Sequence, residues 1–394
     1  MNVLLSLLQK MLIGSFLLVM IGLAVTALFK KLIPASSHGT ISWSEVQHEN
    51  TLESYIDYLR ECASCPHAKE ANAIVDDAQK KIGLIARLDR KNLPEQEDFS
   101  ALAFAPDGKT IAAAGVDRLH FWDATTGELR PVADRAFRVV RGQRTMSLRY
   151  SLGGKQIAAG TASRTGEGSL MVWDANNGEL LAHHTVQDHD IRLVAFAPRS
   201  IGIGWLADGP VGIWEPRTDR IMRAIHEGAA ALSFVRDDTD QLRLITAGER
   251  EIWLWNPDTL EPVEKIKIKT EKSLFGISYD GKVALYRDDQ GQEVWEPLTG
   301  KLLASLPRLD GGLTAFCRDS RRGRLVLGTS KGTIHLWDVS SNAHLAQALA
   351  HHNAIEELTC SSHGRFVSRS IDSAKLWNLD ALVSGQSQHP PHSE

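Results

Sequence analysis

A tryptophan recurs through most of this chain at a nearly fixed interval. Trp122, Trp173, Trp214, Trp255, Trp295, Trp337 and Trp377 are separated by 51, 41, 41, 40, 42 and 40 residues. Each is followed by a polar residue: Asp123, Asp174, Glu215, Asn256, Glu296, Asp338 and Asn378. A period held over seven copies points to a small unit that buries its apolar surface against the next copy.

The unit itself is readable. An alternating apolar run such as LHFW, LMVW or IHLW precedes each Trp, which is the pattern of a half-buried strand. A second run lies 17 to 23 residues upstream and ends at Phe104, Tyr150, Phe196, Phe234, Ile277, Phe316 and Cys360. Turn residues follow it, as in Ala105-Pro106-Asp107-Gly108, and then a third run. A further turn after the Trp, as in Asp123-Ala124-Thr125-Thr126-Gly127, leads to a fourth. In these turns the acidic side chain bonds the backbone and Gly supplies a positive φ. Each repeat is therefore expected to hold four short antiparallel strands.

This constellation resembles the WD repeat. The resemblance covers about 82–383 and implies an all-β, seven-bladed β-propeller. The sequence departs from the family pattern in lacking the Gly-His pair before the first strand, for which His189, His226 and His352 are the nearest remnants. Asp117 and Asp372, five residues before their Trp, stand near the family's structural Asp. The buried Asp-His-Ser/Thr-Trp network is thus expected to be incomplete in most blades. The last repeat has no outer strand of its own. Ile82 to Leu88 matches that position and is expected to close the ring by completing the last blade.

Two elements precede the repeats. Met11 to Phe29 is 19 residues without a charge, flanked by Lys10, Lys30 and Lys31. A helix of that length covers about 28 Å, close to a hydrocarbon core. It is longer than a signal-peptide core and has no clear cleavage site after it, so residues 1–31 are expected to form an uncleaved transmembrane anchor. The flanking charges favour a cytoplasmic propeller by only about one unit. After a linker (32–41), residues 42–81 carry a helical apolar period interrupted at Pro66. Two antiparallel helices, 42–62 and 67–81, are expected, resembling a tetratricopeptide-like hairpin. Residues 384–394 are expected to be a disordered tail.

Several motifs suggest chemistry that their context does not support. Gly328-Thr329-Ser330-Lys331-Gly332 matches a hydrolase nucleophile elbow, but it leads into a strand rather than a helix. Gly108-Lys109-Thr110 lacks the earlier Gly of a phosphate loop. The groups His183, His184, His189 and His344, His351, His352 lack helical metal-ligand spacing. Cys62-x-x-Cys65 has neither a zinc-completing partner motif nor an α/β setting. Cys360 is expected to be a buried, inert thiol, with Cys317 on the other side of its sheet. No metal or cofactor is expected. A formal net charge of −4 argues against general nucleic-acid binding.

One cluster suggests recognition. The first Trp spacing is about ten residues longer than the rest, and the extra length falls before Tyr150 and within Ser163 to Gly168. These regions hold Arg135, Arg138, Arg141, Arg144 and Arg164. In a propeller both would open on one face. Arginine forks bind carboxylate or phosphate twice, so an acidic or phosphorylated protein segment is the expected ligand. The competing reading is a solvated face neutralised by Asp134 and Glu167. The resemblance implies a non-catalytic scaffold that binds proteins or peptides, and the expected anchor would tether it to a membrane. The alternatives are a quinoprotein-like periplasmic enzyme or small-ligand propeller, and an envelope assembly factor.

Overall fold

The computed structural model describes residues 41–61, 64–88, 99–133, 136–198, 202–371 and 373–386. The predicted anchor lies outside the described residues, and among these no helix is long and apolar enough to cross a membrane. The chain divides into two compact units after Asn72.

In the first unit the expected helix over 42–62 is two helices, α1 (Trp43–Glu49) and α2 (Leu52–Glu61). Local side chains break it. Ser42 and Glu45 form a reciprocal capping box at the start of α1, and Asn50 ends it in a left-handed conformation at φ 48°. Thr51 and Ser54 then cap α2, each hydroxyl accepting from the other's backbone N–H at 3.1–3.2 Å. Trp43 stacks on His67 with ring centroids 4.7 Å apart. A further helix, α3 (Ala68–Lys81), begins in this unit and runs on into the second, and the tetratricopeptide likeness finds no support.

The second unit is a seven-bladed β-propeller made of seven four-stranded antiparallel sheets. Blades 1 to 6 span 101–130, 143–186, 193–225, 231–267, 273–307 and 313–349. Blade 7 takes three strands from 357–378 and its outer strand from Leu84–Arg87, which pairs antiparallel with Ala374–Asn378. The ring is closed from both ends of the repeat region, as the unpaired last repeat required. A helix, α4 (Leu379–Gln386), follows, so residues expected in the tail begin as helix.

The repeat Trp residues explain the period. Each is no more than 8% exposed and belongs to a core cluster shared with the preceding blade. Trp122 packs with Val367 and Leu376 of blade 7. Trp173 packs with Phe121 of blade 1, and Trp377 with Val326 and Leu336 of blade 6. Trp214, Trp255, Trp295 and Trp337 fill the four seams between. A blade without a neighbour would leave this face in water, which is why the unit must repeat.

The Trp–Ser/Thr–His network is present in two blades. In blade 4, Trp255 Nε1 donates to Thr246 Oγ1 at 2.8 Å, and His226 Nδ1 lies 2.6 Å from the same oxygen. In blade 7, Trp377 Nε1 donates to Ser368 Oγ at 2.9 Å, and His351 Nε2 lies 2.7 Å away. The histidine is His351 rather than His352. Trp173 Nε1 of blade 2 is buried with no hydrogen-bond partner, whereas Trp214 Nε1 of blade 3 donates to Asp219 Oδ1 at 2.8 Å.

Two further ties secure blade 7. Lys375, 3% exposed, donates to Gln79 Oε1 at 2.7 Å and to the Ala350 carbonyl at 2.8 Å. Gln79 donates in turn to the Leu349 and Ala350 carbonyls, and Asp76 Oδ1 lies 3.8 Å from the ammonium, so the buried charge is both hydrogen-bonded and paired, as burial demands. The second tie is a disulfide between Cys317 and Cys360, Cα atoms 5.6 Å apart. It joins the innermost strands of blades 6 and 7, and it corrects the expectation of an inert thiol at Cys360. Cys317 and Cys360 do occupy opposite sheet faces. Adjacent blades present opposite faces to one another, so that arrangement brings the two sulfurs together. Cys65 is also disulfide-bonded.

Candidate functional site

Strand alternation gives the propeller two distinct faces. The first carries the connections between blades and the turns between second and third strands. The second carries the remaining two turns of each blade.

Blade 2 uses its extra residues in two ways. Its first two strands, Gln143–Tyr150 and Gln156–Ser163, have 8 residues each, against 4 and 5 in blade 1. Part of the presumed loop insertion therefore lengthens strands. Gln143 pairs with Ser163 and Arg144 with Ala162, which puts Arg144 and the turn holding Arg164 at the same, first-face end. Arg138 forms a bridge with Arg118, in the second turn of blade 1, on that face too. Arg141 lies between Arg138 and Arg144 in the connection entering blade 2. Arg135 lies outside the described residues.

These arginines are not equivalent. Arg138 pairs with Asp117, which also faces Arg118 Nε at 3.4 Å. The neutralising acid is thus Asp117, the residue matched in sequence to the family's structural Asp. Asp134 lies outside the described residues, and Glu167 forms no ion pair among them. Arg141, Arg144 and Arg164 are exposed and likewise form no ion pair among the described residues.

Four cations elsewhere on this face are paired. Arg192 pairs with Asp208 at 2.8 Å, Arg250 with Glu271 at 2.8 Å and Lys331 with Asp310 at 2.7 Å. Lys272 pairs with Asp288. In blades 3 to 6 a first-face cation thus finds an acid in the adjoining loop.

Apolar side chains flank them, which sequence reading missed. Val116 (63% exposed) and Ile371 (60%) sit in the second turns of blades 1 and 7, and Met146 (41%) lies on the first strand of blade 2. Met146 escapes the core through a bulge between Thr145 and Ser147 that breaks the alternation. No single-sequence pattern reveals a bulge, whereas the turn positions of Val116 and Ile371 followed from the repeat alignment.

The chemical motifs resolve into structure. Ser330 sits in the hairpin turn between Arg324–Thr329 and Thr333–Asp338, its hydroxyl donating to the Gly311 carbonyl. His184 Nδ1 lies 2.9 Å from Asp219 Oδ1, His335 Nδ1 lies 3.2 Å from His344 Nε2, and His351 is held among serines. Among the described residues no group of three or more His, Cys, Asp or Glu is placed to hold a metal ion.

No family model matches the chain. It is 25% identical over 209 residues to a periodic tryptophan protein 2 homolog of Neurospora crassa, covering 46% of this chain and 22% of that protein. It is 24% identical over 194 residues to eukaryotic translation initiation factor 3 subunit I of Anopheles gambiae, covering 45% of this chain and 59% of that protein. The chain thus spans less than two thirds of either relative. The crystal structure of the computationally designed Ika8 protein aligns with a TM-score of 0.53 at 19% identity, over 75% of this chain and 99% of that one. This last likeness speaks to the fold alone. The seven sheets and their Trp seams make the chain a seven-bladed β-propeller, and its repeats are weakly similar to those of these two proteins.

Proposed function

We propose that this protein is a non-catalytic scaffold that binds an acidic segment of a partner protein on the first face of blades 1 and 2. The observation that carries the reading is the set Arg141, Arg144 and Arg164, exposed together on the first face of blade 2 with no ion pair among the described residues, where Arg192, Arg250, Lys272 and Lys331 each pair with an acid. Val116, Met146 and Ile371 supply apolar contact beside them. Arginine with exposed apolar side chains is the composition of a protein-binding surface. One distant relative is named as a subunit of an initiation factor, which accords with a role in assemblies.

Met11 to Phe29 tethers the propeller to a membrane in this reading. The bond between Cys317 and Cys360, with Cys65 also bonded, supports an oxidising compartment. That outweighs the one-unit charge bias toward the cytoplasm. The propeller would face the extracytoplasmic side, where confinement raises its effective concentration toward other envelope components.

The test is selection from a displayed peptide library, followed by measured affinities. Acidic or phosphorylated sequences that lose at least tenfold affinity for the triple variant R141E/R144E/R164E support the reading. Selected peptides that bind the variant equally well contradict it.

A further inference from the structure

On the second face, at the far end of the innermost strands, a cavity of about 540 Å³ opens among blades 1, 2, 5, 6 and 7. Its walls include Phe104, Tyr150, Tyr279 and Phe316. Tyr279 reaches across it, its hydroxyl donating to the Tyr150 carbonyl at 3.2 Å, from blade 5 to blade 2. The volume lies within the range of small-ligand sites.

The charges in the cavity are unequally committed. Glu357 accepts from the Leu102 amide at 3.0 Å and from Arg369 Nε at 3.1 Å. Asp280 accepts from Ser278 Oγ at 2.7 Å and pairs with Arg318. Both carboxylates are therefore engaged. Arg149 is not. It donates only to the neighbouring Leu148 carbonyl at 2.8 Å, lies 5.5 Å from the Tyr279 ring centroid, and forms no ion pair among the described residues. Arg318 Nε is also without a partner.

We infer that this cavity binds a carboxylate carried on a compact apolar body, with Arg149 taking the carboxylate and the Phe104, Tyr150, Tyr279 and Phe316 walls taking the apolar part. A guanidinium held beside aromatic walls and without a counter-ion is complementary to that chemistry. A cation would meet Arg149 with no free acid to receive it. The same group can come from a free aromatic acid or from the C-terminus of a peptide ending in Phe. The site is separate from the arginine face of blade 2, so each stands or falls alone.

Titration calorimetry of the full chain with 1-naphthylacetate and with the peptide GSGSGF tests this. Each ligand is compared with its amide, which keeps the apolar body and removes the charge. Binding of either acid, at least tenfold tighter than its amide, supports the inference, and the tighter of the two identifies the source. R149Q should abolish the preference for acid over amide, and R149K should restore part of it. F316A should weaken acid and amide alike, while R141E/R144E/R164E should change neither. Failure of both acids to bind, or binding unaffected by R149Q in a variant with native thermal unfolding, overturns it.

Discussion

Cys317 of blade 6 is bonded to Cys360 of blade 7 across the innermost ring, beside the blade that the chain assembles from its two ends. The bond closes a segment with a sequence separation of 43, so it restricts the unfolded chain substantially. The double variant C317A/C360A is expected to lose about 2–4 kcal/mol of stability in denaturant titrations. If both compartment and pairing are as described, cells lysed into a thiol-blocking reagent yield protein whose Cys317 and Cys360 react only after reduction. Free thiols in freshly lysed cells would place the propeller in a reducing compartment.

Removing residues 1–88 takes away the outer strand of blade 7, the Gln79 contacts to Lys375, and the Gly83 carbonyl that accepts from the Asn378 amide at 2.8 Å. The third strand of that blade becomes an open edge. A chain starting at residue 99 is expected to melt at lower temperature and to self-associate on size-exclusion chromatography. A chain starting at residue 73 keeps the closing strand and is expected to be monodisperse.

Trp173 and Trp377 are both fully buried, yet only Trp377 bonds through its indole N–H. Trp377→Phe removes the indole N–H from which Ser368 Oγ accepts, in addition to losing volume. It should cost about 1–2 kcal/mol more than Trp173→Phe, the scale of a lost buried hydrogen bond. Equal losses in chemical unfolding would assign the blade 7 network no net contribution.

His335 is 8% exposed, and burial, reinforced by His344 beside it, pushes its imidazole down to about 4 from the usual 6.5. The unfolded chain therefore takes up a proton at a pH where the folded chain does not. Stability should fall as pH drops from about 6.5 toward 4 and change little above that window. Burial lowers His226 in the same direction. His335→Leu is expected to flatten the acid limb of a melting-temperature profile relative to the parent.

The propeller was legible because its cause is local and repeated. One Trp per unit fills one seam, so spacing alone gave the blade number, and the missing outer strand of the last repeat pointed to Leu84–Arg87. The helix break at Asn50 was harder to see, because the apolar period continues through it while the capping side chains do not. The disulfide was missed because no sequence rule places Cys317 and Cys360 on facing strands of adjacent blades. The arginine face was partly legible. Repeat alignment put Arg135, Arg138, Arg141, Arg144 and Arg164 on one face, but only the pairing of Arg138 with Asp117 separates committed from spare charge.

Site-specific photo-crosslinking in cells asks whether the first face of blades 1 and 2 holds a partner. A photoreactive residue is placed at Met146 or Arg164 on that face, at Lys282 on the other, and at Ile225 on an outer strand. A discrete adduct is expected from Met146 and Arg164, lost when R141E and R144E are added, and none from Ile225. Adducts absent from both first-face positions, or unchanged by the charge reversal, would contradict it.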